Sequence, residues 1–335
     1  MEYNEFANSG RMVSRVAFGA MGLNCAFGNY AEKDLIKAVH HSMDKGVNFI
    51  DTARTYGDSE EILGKALKQW SGERPFIASK AAPQGTGWGI PNPISTSYPK
   101  GAVTASVEES LQRLGIDCID LMQLHQYWSQ YEGEYWYDEM QTLKDQGKIK
   151  HIGISITDHR HDQALSIVRN GLVDSVQTIV NIFDPLAFDS LIPLCRKMKV
   201  AVMARCVLDE GGLTGFLKAD TVFPASDFRH DYFEHGPLNE YIRRVEELKQ
   251  YVPEYASSLA ELAIKFALYD SAVTCANISM HIPEYADENI AVVDQKPLTE
   301  EVFTEIRKNH RWLTNLYEHK YFPRAGEAPT TGFKD

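Results

Sequence analysis

The sequence is poor in cysteine, and its cysteines follow no metal-binding or disulfide pattern. Five occur in 335 residues (Cys25, Cys118, Cys195, Cys206 and Cys275), and no two have the CxxC spacing. An odd number of widely spaced cysteines argues against a disulfide framework, and the missing CxxC pair argues against a zinc knuckle. We therefore expect most of them to pack as small apolar side chains in a protein of the reducing cytoplasm.

Long apolar runs and an excess of basic charge are also missing. No stretch of 18 uninterrupted apolar residues occurs, and residues 1–15 lack the apolar segment of a signal peptide. The 34 Lys and Arg residues are outnumbered by 46 Asp and Glu residues, which gives a net charge of −12. An acidic surface disfavours a nucleic-acid backbone. We predict a small-molecule partner, with neither nucleic acid nor membrane, and leave a homo-oligomer open.

Short apolar runs alternate with segments of helical periodicity. Leu35, Val39 and Met43, for example, repeat at the i, i+4, i+8 spacing of an amphipathic helix. Continuous apolar runs are typical of parallel strands covered on both faces. The pattern predicts one (β/α)8 barrel over residues 1–335. The predicted strands are 15–19, 47–51, 75–79, 119–124, 151–155, 175–179, 200–205 and 272–276.

Three connections exceed the usual length, at residues 81–100, 126–134 and 208–237. Long loops in compact domains are usually functional or disordered, and we expect these three on the active face. A further helix is predicted after Leu298. Residues 322–335 are expected to form a loose tail, because they are rich in Gly and Pro.

Polar residues close one predicted strand after another. Barrel enzymes place their chemistry at the carboxyl ends of the strands, so these side chains are expected to converge there. The alternative is that they only cap or solvate the strand ends. The residues are Asp51, Lys80, His125, Ser155, Gln177 and Arg205.

Asp51, Tyr56, Lys80 and His125 together predict a proton-transfer site. Tyrosine is a poor acid at neutral pH, but a neighbouring ammonium favours the phenolate and a carboxylate keeps that lysine charged. Lowering the pKa of Tyr56 by ~3 units would require ~4 kcal/mol of differential stabilisation. The imidazole of His125 could then orient a carbonyl oxygen.

The motifs around these four residues resemble the aldo-keto reductase family. Residues 47–57 (VNFIDTARTYG) with Ser59 and Glu60 resemble its signature, as do the segments SVEESLQRL (106–114), DLMQLH (120–125), GKI (147–149), GGLTG (211–215) and DFR (227–229). The resemblance runs from about residue 10 to residue 289. It implies NADPH-linked reduction of an aldehyde or ketone, with hydride from the nicotinamide and a proton from Tyr56.

The resemblance also assigns cofactor contacts. Ser155 and Gln177 would hold the carboxamide, Arg205 would lie over the nicotinamide ring, and the loop with Gly212, Leu213 and Gly215 would meet the pyrophosphate. Ile156 replaces the asparagine that usually follows the serine. Ser279, His281 and Asn289 would lie at the adenosine end.

Cofactor choice depends on residues 278–289, where the family often has a basic residue that reads the 2′-phosphate of NADP. This stretch contains no Arg or Lys, and His281 could substitute only in part because its charge depends on pH. The resemblance favours NADP, and NAD is the alternative. Arg229 either reaches the cofactor or ties the long loop to the barrel rim.

Six Tyr or Trp residues lie within positions 127–137. Flat aromatic faces with polar edges suit a sugar ring, so Tyr127, Trp128 and the loop residue Trp88 are candidate substrate contacts for a sugar-like carbonyl compound. The alternative is that the aromatic rings pack the loop onto the helix that follows.

Two other functions stay open. A cofactor-binding regulatory subunit can use the same fold and retain the four residues. His159-Arg160-His161 resembles the HxH pair of metal-dependent hydrolases, but it follows the fifth strand and the first has no such pair, so no metal site is predicted.

Overall fold

The computed structural model describes residues 1–85, 89–233 and 237–313, and ten β-strands form within them. Strands β3 to β10 run parallel and close into a barrel, in which each pairs with the next along the chain and β10 pairs with β3. The predicted (β/α)8 barrel is confirmed. The strands are β1 (Tyr3–Glu5), β2 (Met12–Ser14), β3 (Val16–Gly19), β4 (Phe49–Asp51), β5 (Phe76–Ala81), β6 (Ile119–Tyr127), β7 (Ile149–Ile156), β8 (Ser175–Ile179), β9 (Ala201–Arg205) and β10 (Val273–Ser279).

Helices surround the barrel, and none in the described ranges is long and apolar enough to cross a membrane. The helix predicted after Leu298 is α13. The helices are α1 (Glu32–Asp44), α2 (Ser59–Gln69), α3 (Ile94–Ser97), α4 (Ala102–Leu114), α5 (Trp136–Asp145), α6 (Leu165–Arg169), α7 (Leu191–Met198), α8 (Phe228–Phe233), α9 (Leu238–Leu248), α10 (Val252–Tyr255), α11 (Leu259–Ala267), α12 (Pro283–Ala291) and α13 (Glu300–Asn309).

Local sequence explains where helices begin and end. Ser258 caps α11 by accepting a hydrogen bond from the Glu261 amide, and Glu261 reaches back to the Ser257 amide, as in a capping box. Helix α4 ends at Gly115, whose φ of 64° lies in the left-handed region that glycine tolerates. Such caps supply partners for backbone groups that the helix leaves unpaired.

The barrel interior has an apolar half and a polar half. Side chains alternate between the two faces of a strand, and residues in register on neighbouring strands share a face. Lys80 is in register with Gln123, and Ser155 with Gln177, so these polar side chains all point inward near the carboxyl ends. Phe49, Phe76, Leu121, Met203 and Cys275 form an apolar cluster in the other half.

An antiparallel hairpin of β1 and β2 closes the amino end of the barrel. Phe6, which follows β1, is fully buried, and its ring centroid lies 4.6 Å from that of Phe76 and 6.1 Å from that of Phe49. The sequence did not predict this hairpin, because three-residue strands are too short to show an alternation of apolar and polar residues.

The predicted barrel strands agree with the observed ones within three residues at each end. The largest differences are at the carboxyl ends of β6, which extends to Tyr127, and of β10, which extends to Ser279. Polar residues in both extensions mask the apolar pattern of a strand. The tail predicted at 322–335 lies outside the described residues.

Candidate active site

Lys80 lies in the polar half of the barrel interior and is fully buried. Its Nζ donates to Asp51 Oδ2 at 2.7 Å, to the Thr52 carbonyl at 2.8 Å and to the Tyr56 hydroxyl at 3.4 Å. Burial lowers the pKa of Lys80, but Asp51 and Tyr56 outweigh that effect and hold the pKa above its usual value. The ammonium form is therefore stable in a site without solvent.

Asp51 is held by more than its lysine partner. Its Oδ1 accepts from Gln177 Nε2 at 3.1 Å and from Gln123 Nε2 at 3.4 Å. The two glutamines come from β8 and β6, the strands on either side of β7. The carboxylate thus has donors on both oxygens, which fixes the direction in which it presents charge to Lys80.

Burial of the Tyr56 hydroxyl has a larger effect on its pKa than the nearby ammonium. Burial raises the pKa and Lys80 lowers it, and the net result is a pKa above the ordinary tyrosine value. The sequence predicted a net decrease, because it could not show how far the phenol is withdrawn from water. At neutral pH Tyr56 is therefore protonated and able to give its proton away.

His125 lies on β6, in the same polar half of the barrel interior, and is buried. Its Nδ1 lies 2.9 Å from Thr55 Oγ1, and its ring meets that of Tyr56 edge-on, with centroids 5.5 Å apart. Burial, then Lys80 and Arg205, hold the pKa of His125 well below its usual value. The imidazole is therefore neutral. Asp51, Tyr56, Lys80 and His125 come together as the sequence predicted.

Ser155 offers an unused polar atom at the same level of the barrel. Its Oγ is buried and has no hydrogen-bond partner among the described residues. Asn277, which the sequence analysis did not single out, likewise has a buried Nδ2 without a partner in the described ranges. Ile156, in place of the expected asparagine, is fully buried. Ser155 can therefore donate or accept one bond from a bound molecule.

Arg205 is held at the end of β9 by Asp158. Its Nη2 lies 2.5 Å from Asp158 Oδ1 and 3.1 Å from the Ile156 carbonyl, and both charged side chains are largely buried. Burial lowers the pKa of Arg205, but Asp158 and Cys206 together outweigh that effect and hold the pKa above its usual value. The sequence did not single out Asp158, because nothing in its own segment marks it as the partner of a residue 47 positions away.

The loop expected to meet a pyrophosphate donates its amides to itself. The amides of Gly212, Leu213 and Gly215 donate to the carbonyls of Asp209, Leu208 and Gly212, at 2.9, 3.0 and 3.2 Å. Positive φ angles at residues 206, 209, 210, 211 and 215 fold this segment tightly. The loop is therefore tightly folded, and these three amides already have acceptors.

A buried carboxylate anchors this loop to the helices that follow it. Asp209 accepts from the Tyr232 hydroxyl at 2.6 Å and from the Tyr241 hydroxyl at 2.7 Å. Burial, together with the nearby Asp209, raises the pKa of Glu210 to about 7. Two acidic side chains thus lie in a segment that was expected to face phosphates.

His281 is enclosed, and it is neutral at physiological pH. Its Nδ1 lies 2.8 Å from Ser279 Oγ, and a side chain at Gly22 would come within 2.5 Å of that nitrogen. Burial and the nearby Arg229 lower its pKa to about 4. The position of His281 therefore gives no support to the expectation that it substitutes in part for a basic residue at a 2′-phosphate. Asn289 is buried in α12.

Arg229 makes the contacts expected of a residue that ties the long loop to the rim. Its Nε and Nη2 donate to the two carboxylate oxygens of Asp227 at 2.9 and 2.6 Å, and Nη2 lies 3.3 Å from the Phe27 carbonyl. The Phe228 amide donates to the Ala26 carbonyl at 2.8 Å. The segment therefore binds the connection that follows β3.

The aromatic residues after His125 pack the loop. Tyr127, Tyr131 and Trp136 are buried, and the Tyr127 ring lies 6.2 Å from that of Tyr131 and 6.1 Å from that of Trp136. The Tyr131 hydroxyl donates to the Asn92 carbonyl at 2.8 Å and so attaches the preceding long loop. These contacts support the packing interpretation, and Tyr127 presents no surface to a substrate.

Trp128 and Trp88 are the other two predicted substrate contacts. Trp128 is 4% exposed, and the guanidinium of Arg160 lies 5.5 Å from the centre of its ring. Trp88 lies outside the described residues. Tyr127 and Trp128 therefore give no support to an aromatic wall that faces a sugar.

The first histidine of the HxH pair is bonded to a carboxylate. His159 Nδ1 lies 2.7 Å from Asp184 Oδ2, and this pair joins the loops after β7 and β8. Burial lowers the pKa of His159, but Asp184 raises it above the usual value. Within the described ranges, no group of three or more His, Cys, Asp or Glu side chains could hold a metal ion.

The comparison with known families decides what kind of protein carries this site. A model of the aldo/keto reductase family matches residues 15–310, which include the whole barrel. The chain belongs to the aldo-keto reductase family. It is therefore an oxidoreductase that acts on carbonyl groups, in a family that generally uses nicotinamide cofactors.

Relatives and solved structures agree with this assignment. The aldo-keto reductase is 30% identical over 275 residues to aldo-keto reductase YhdN of Bacillus subtilis (strain 168), covering 80% of this chain and 81% of that one. It is 28% identical over 313 residues to aldo-keto reductase str7 of Strobilurus tenacellus, covering 89% of each.

Two solved structures share the fold. Aldo-keto reductase AKR11C1 from Bacillus halodurans, in its holo form, superposes with a TM-score of 0.74 at 22% identity, covering 95% of this chain and 100% of that one. Glycerol dehydrogenase AKR11B4 from Gluconobacter oxydans superposes with a TM-score of 0.72 at 24% identity, covering 92% and 95%.

Proposed function

We propose that this aldo-keto reductase transfers hydride between a nicotinamide dinucleotide and an aldehyde or ketone, with Tyr56 as the general acid in reduction. The observation that carries the proposal is the position of Lys80 Nζ, which bonds to both the Asp51 carboxylate and the Tyr56 hydroxyl. A protonated phenol beside a fixed cation can donate its proton as negative charge develops on a carbonyl oxygen, because Lys80 stabilises the phenolate that remains.

His125 has the complementary task of orienting the carbonyl. Its neutral ring lies beside Tyr56, so an oxygen placed between them can accept hydrogen bonds from both. Two donors converging on one oxygen stabilise the charge that develops there. We infer that reduction runs with Tyr56 giving the proton and His125 holding the oxygen in line with it.

The inner layer of the barrel has a polar atom suited to the carboxamide of a nicotinamide. When bound, this cofactor supplies the hydride. Ser155 Oγ, a buried hydroxyl without a partner in the described residues, is the first candidate to bind the carboxamide, because an amide would satisfy it. Gln177 is engaged by Asp51, and Arg205 by Asp158, so each can add a contact only while keeping the bond it has.

The residues at the adenosine end of the proposed cofactor site bear on the choice between NADP and NAD. NADP is the cofactor that the family resemblance favours. The charges observed near this end favour NAD instead, since His281 is neutral and the guanidinium of the nearby Arg229 is engaged by Asp227. We therefore propose that NAD(H) binds at least as tightly as NADP(H), because a 2′-phosphate meets no uncompensated cation among residues 278–289.

Two titrations test the cofactor proposal. NADH and NADPH are each titrated into the protein, and binding is followed by quenching of tryptophan fluorescence. Tighter binding of NADPH would contradict the proposal. His281→Arg introduces a cation where His281 now lies, and it should shift the ratio of the two dissociation constants toward NADPH by about tenfold, as expected for a charge-assisted hydrogen bond.

A turnover assay tests the chemistry. Oxidation of NADH and NADPH is measured with simple aldehydes, ketones, aldoses and keto-sugars, using the wild type, Tyr56→Phe and a control, Tyr3→Phe, whose hydroxyl lies on the β1–β2 hairpin. Tyr56→Phe should lose at least about 100-fold in kcat, since general acid catalysis commonly contributes that much, and Tyr3→Phe should not. Undiminished activity in Tyr56→Phe refutes the mechanism.

The same assay separates an enzyme from a regulatory subunit. Cofactor binding without turnover across the panel would favour the regulatory alternative. The sugars remain in the panel because the sequence suggested a sugar-like substrate. The burial of Tyr127 and Trp128 gives that suggestion no support, so we expect simple aldehydes and ketones to react at least as fast.

A further inference from the structure

The side chain of Thr55, which directly precedes Tyr56, contacts the histidine of the site. Its Oγ1 lies 2.9 Å from His125 Nδ1. A hydroxyl can either donate to a ring nitrogen or accept from one, and the choice decides which nitrogen of a neutral imidazole carries the hydrogen. The contact therefore bears on what His125 can offer to a carbonyl group.

The surroundings of His125 keep its ring in the neutral form. Lys80 and Arg205, two cations on β5 and β9, oppose a third positive charge, and burial acts in the same direction. A neutral imidazole has one N–H, so only one of its two nitrogens can donate. Because Nδ1 is already next to Thr55, a carbonyl oxygen must be met by Nε2, and it needs a hydrogen there.

The backbone around Thr55 is fixed on both sides. The Thr52 amide donates to the Ala78 carbonyl at 2.9 Å, the Arg54 amide to the Lys80 carbonyl at 3.3 Å and the Tyr56 amide to the Ala53 carbonyl at 3.0 Å. The Thr55 residue itself is exposed at the mouth of the barrel. Its hydroxyl can therefore be removed without opening a cavity in the core.

We propose that Thr55 is a positioning residue whose hydroxyl donates to His125 Nδ1, so that the imidazole carries its hydrogen on Nε2. This assigns Thr55 a role in the proposed reduction, and that role rests on the proposed function. The direction of this hydrogen bond rests on it as well, because the contact alone allows either tautomer, but the tautomer can be measured without turnover.

Nitrogen-15 NMR of the histidine rings tests the tautomer. The signals of His125 are assigned by their loss in His125→Gln. In the wild type, Nε2 should have a pyrrole-like shift and Nδ1 a pyridine-like shift, and Thr55→Ser should keep this pattern. Thr55→Val, which replaces the hydroxyl with a methyl group of similar size, should give a mixture of both tautomers. A hydrogen on Nδ1 in the wild type, or an unchanged spectrum in Thr55→Val, would overturn the proposal.

Kinetics test whether the contact serves the reaction. In Thr55→Val, kcat for reduction should fall by about tenfold, the rate equivalent of one lost hydrogen bond, whereas Thr55→Ser should stay within about twofold. Thr142→Val is the matched control, because its exposed hydroxyl only bonds to the Asp138 carbonyl on α5. A loss in Thr55→Val that Ser does not restore would argue against the hydroxyl as the cause.

The two arms separate failure of this proposal from failure of the proposed function. If the wild type turns over no carbonyl compound, the proposed function fails, and the NMR result alone decides the tautomer. If the wild type is active and Thr55→Val equals it in kcat, Thr55 has no positioning role even where the tautomer is as proposed.

Discussion

Lys80 Nζ and Asp51 Oδ2 lie 2.7 Å apart, with the two side chains 0% and 5% exposed. Two opposite charges removed from water in this way depend on each other. Removing one leaves the other without compensation in a medium that solvates it poorly. The pair therefore links the stability of the barrel to the chemistry at its mouth.

Asp51→Asn should destabilise the protein and abolish most of its activity. The substitution keeps the shape of the side chain but leaves the Lys80 ammonium buried without a counter-charge, at a cost of about 3–5 kcal/mol in the free energy of unfolding. Urea unfolding followed by circular dichroism measures the loss.

A double substitution provides the control for this pair. Asp51→Asn combined with Lys80→Met removes both charges, and it should be more stable than Asp51→Asn alone, because no unpaired ammonium remains. If the double variant is no more stable than the single one, the cost does not come from the unpaired lysine.

Ionisation of Tyr56 should not lower kcat/KM for reduction at any pH below the ordinary tyrosine pKa. Reduction needs the protonated phenol, and burial raises the pKa of Tyr56 above its ordinary value of 10.0, with Lys80 opposing. A raised pKa moves the loss of the proton to higher pH, so kcat/KM should stay level to about pH 9. The measurement is a pH profile of kcat/KM for one aldehyde. A descending limb centred below about pH 9 would contradict the raised pKa of Tyr56.

His281 should make the fold less stable as the solution becomes acidic. Its pKa is about 4 in the folded protein, against an ordinary histidine value of 6.5, so between these values the unfolded chain binds more protons than the folded one. Stability therefore falls as the pH decreases from 6.5 toward 4, by up to about 3 kcal/mol.

His281→Gln tests this linkage, because the side chain has no charge to gain. It also loses the contact between Ser279 and the imidazole at every pH, so the comparison is between slopes rather than absolute stabilities. Unfolding free energies measured at pH 7, 6 and 5 should decrease less steeply in the variant. Equal slopes would show that His281 titrates normally in the folded state.

Gly212→Ala should disturb the anchor of the long loop. A Cβ at this position would overlap the Tyr241 hydroxyl, which donates to Asp209 at 2.7 Å. Overpacking and loss of a bond to a carboxylate should together cost about 2–4 kcal/mol. Thermal unfolding measures the cost, and Tyr241→Phe, which removes only the hydroxyl, should lose less. A Gly212→Ala variant as stable as the wild type would mean that the ring can move aside.

The sequence was sufficient to predict the barrel and the four central residues, because both depend on local patterns. Apolar runs of five or six residues mark buried parallel strands, and the motif with Asp51 and Tyr56 lies within ten consecutive residues. The carboxyl ends of parallel strands meet at one edge, so Lys80 and His125 could be brought to the same place without knowing any distance.

What the sequence could not supply depends on burial and on partners far along the chain. Tyr56 has a raised pKa because the phenol lies deep, and Arg205 is engaged because Asp158, which follows β7, reaches it past β8. The Asp209 carboxylate binds tyrosines 23 and 32 residues later. None of these relationships has a periodicity or spacing that a linear pattern could reveal.

The hairpin of β1 and β2 places Phe6 at one end of the barrel, and the reacting groups lie at the other. Damage at the two ends should therefore have different phenotypes. Substitutions at Phe6, Phe49 or Phe76 should reduce how much folded protein a cell accumulates, while each surviving molecule keeps its KM. Tyr56→Phe, which leaves the Lys80–Asp51 pair intact, should leave the amount of protein nearly unchanged and reduce what each molecule does.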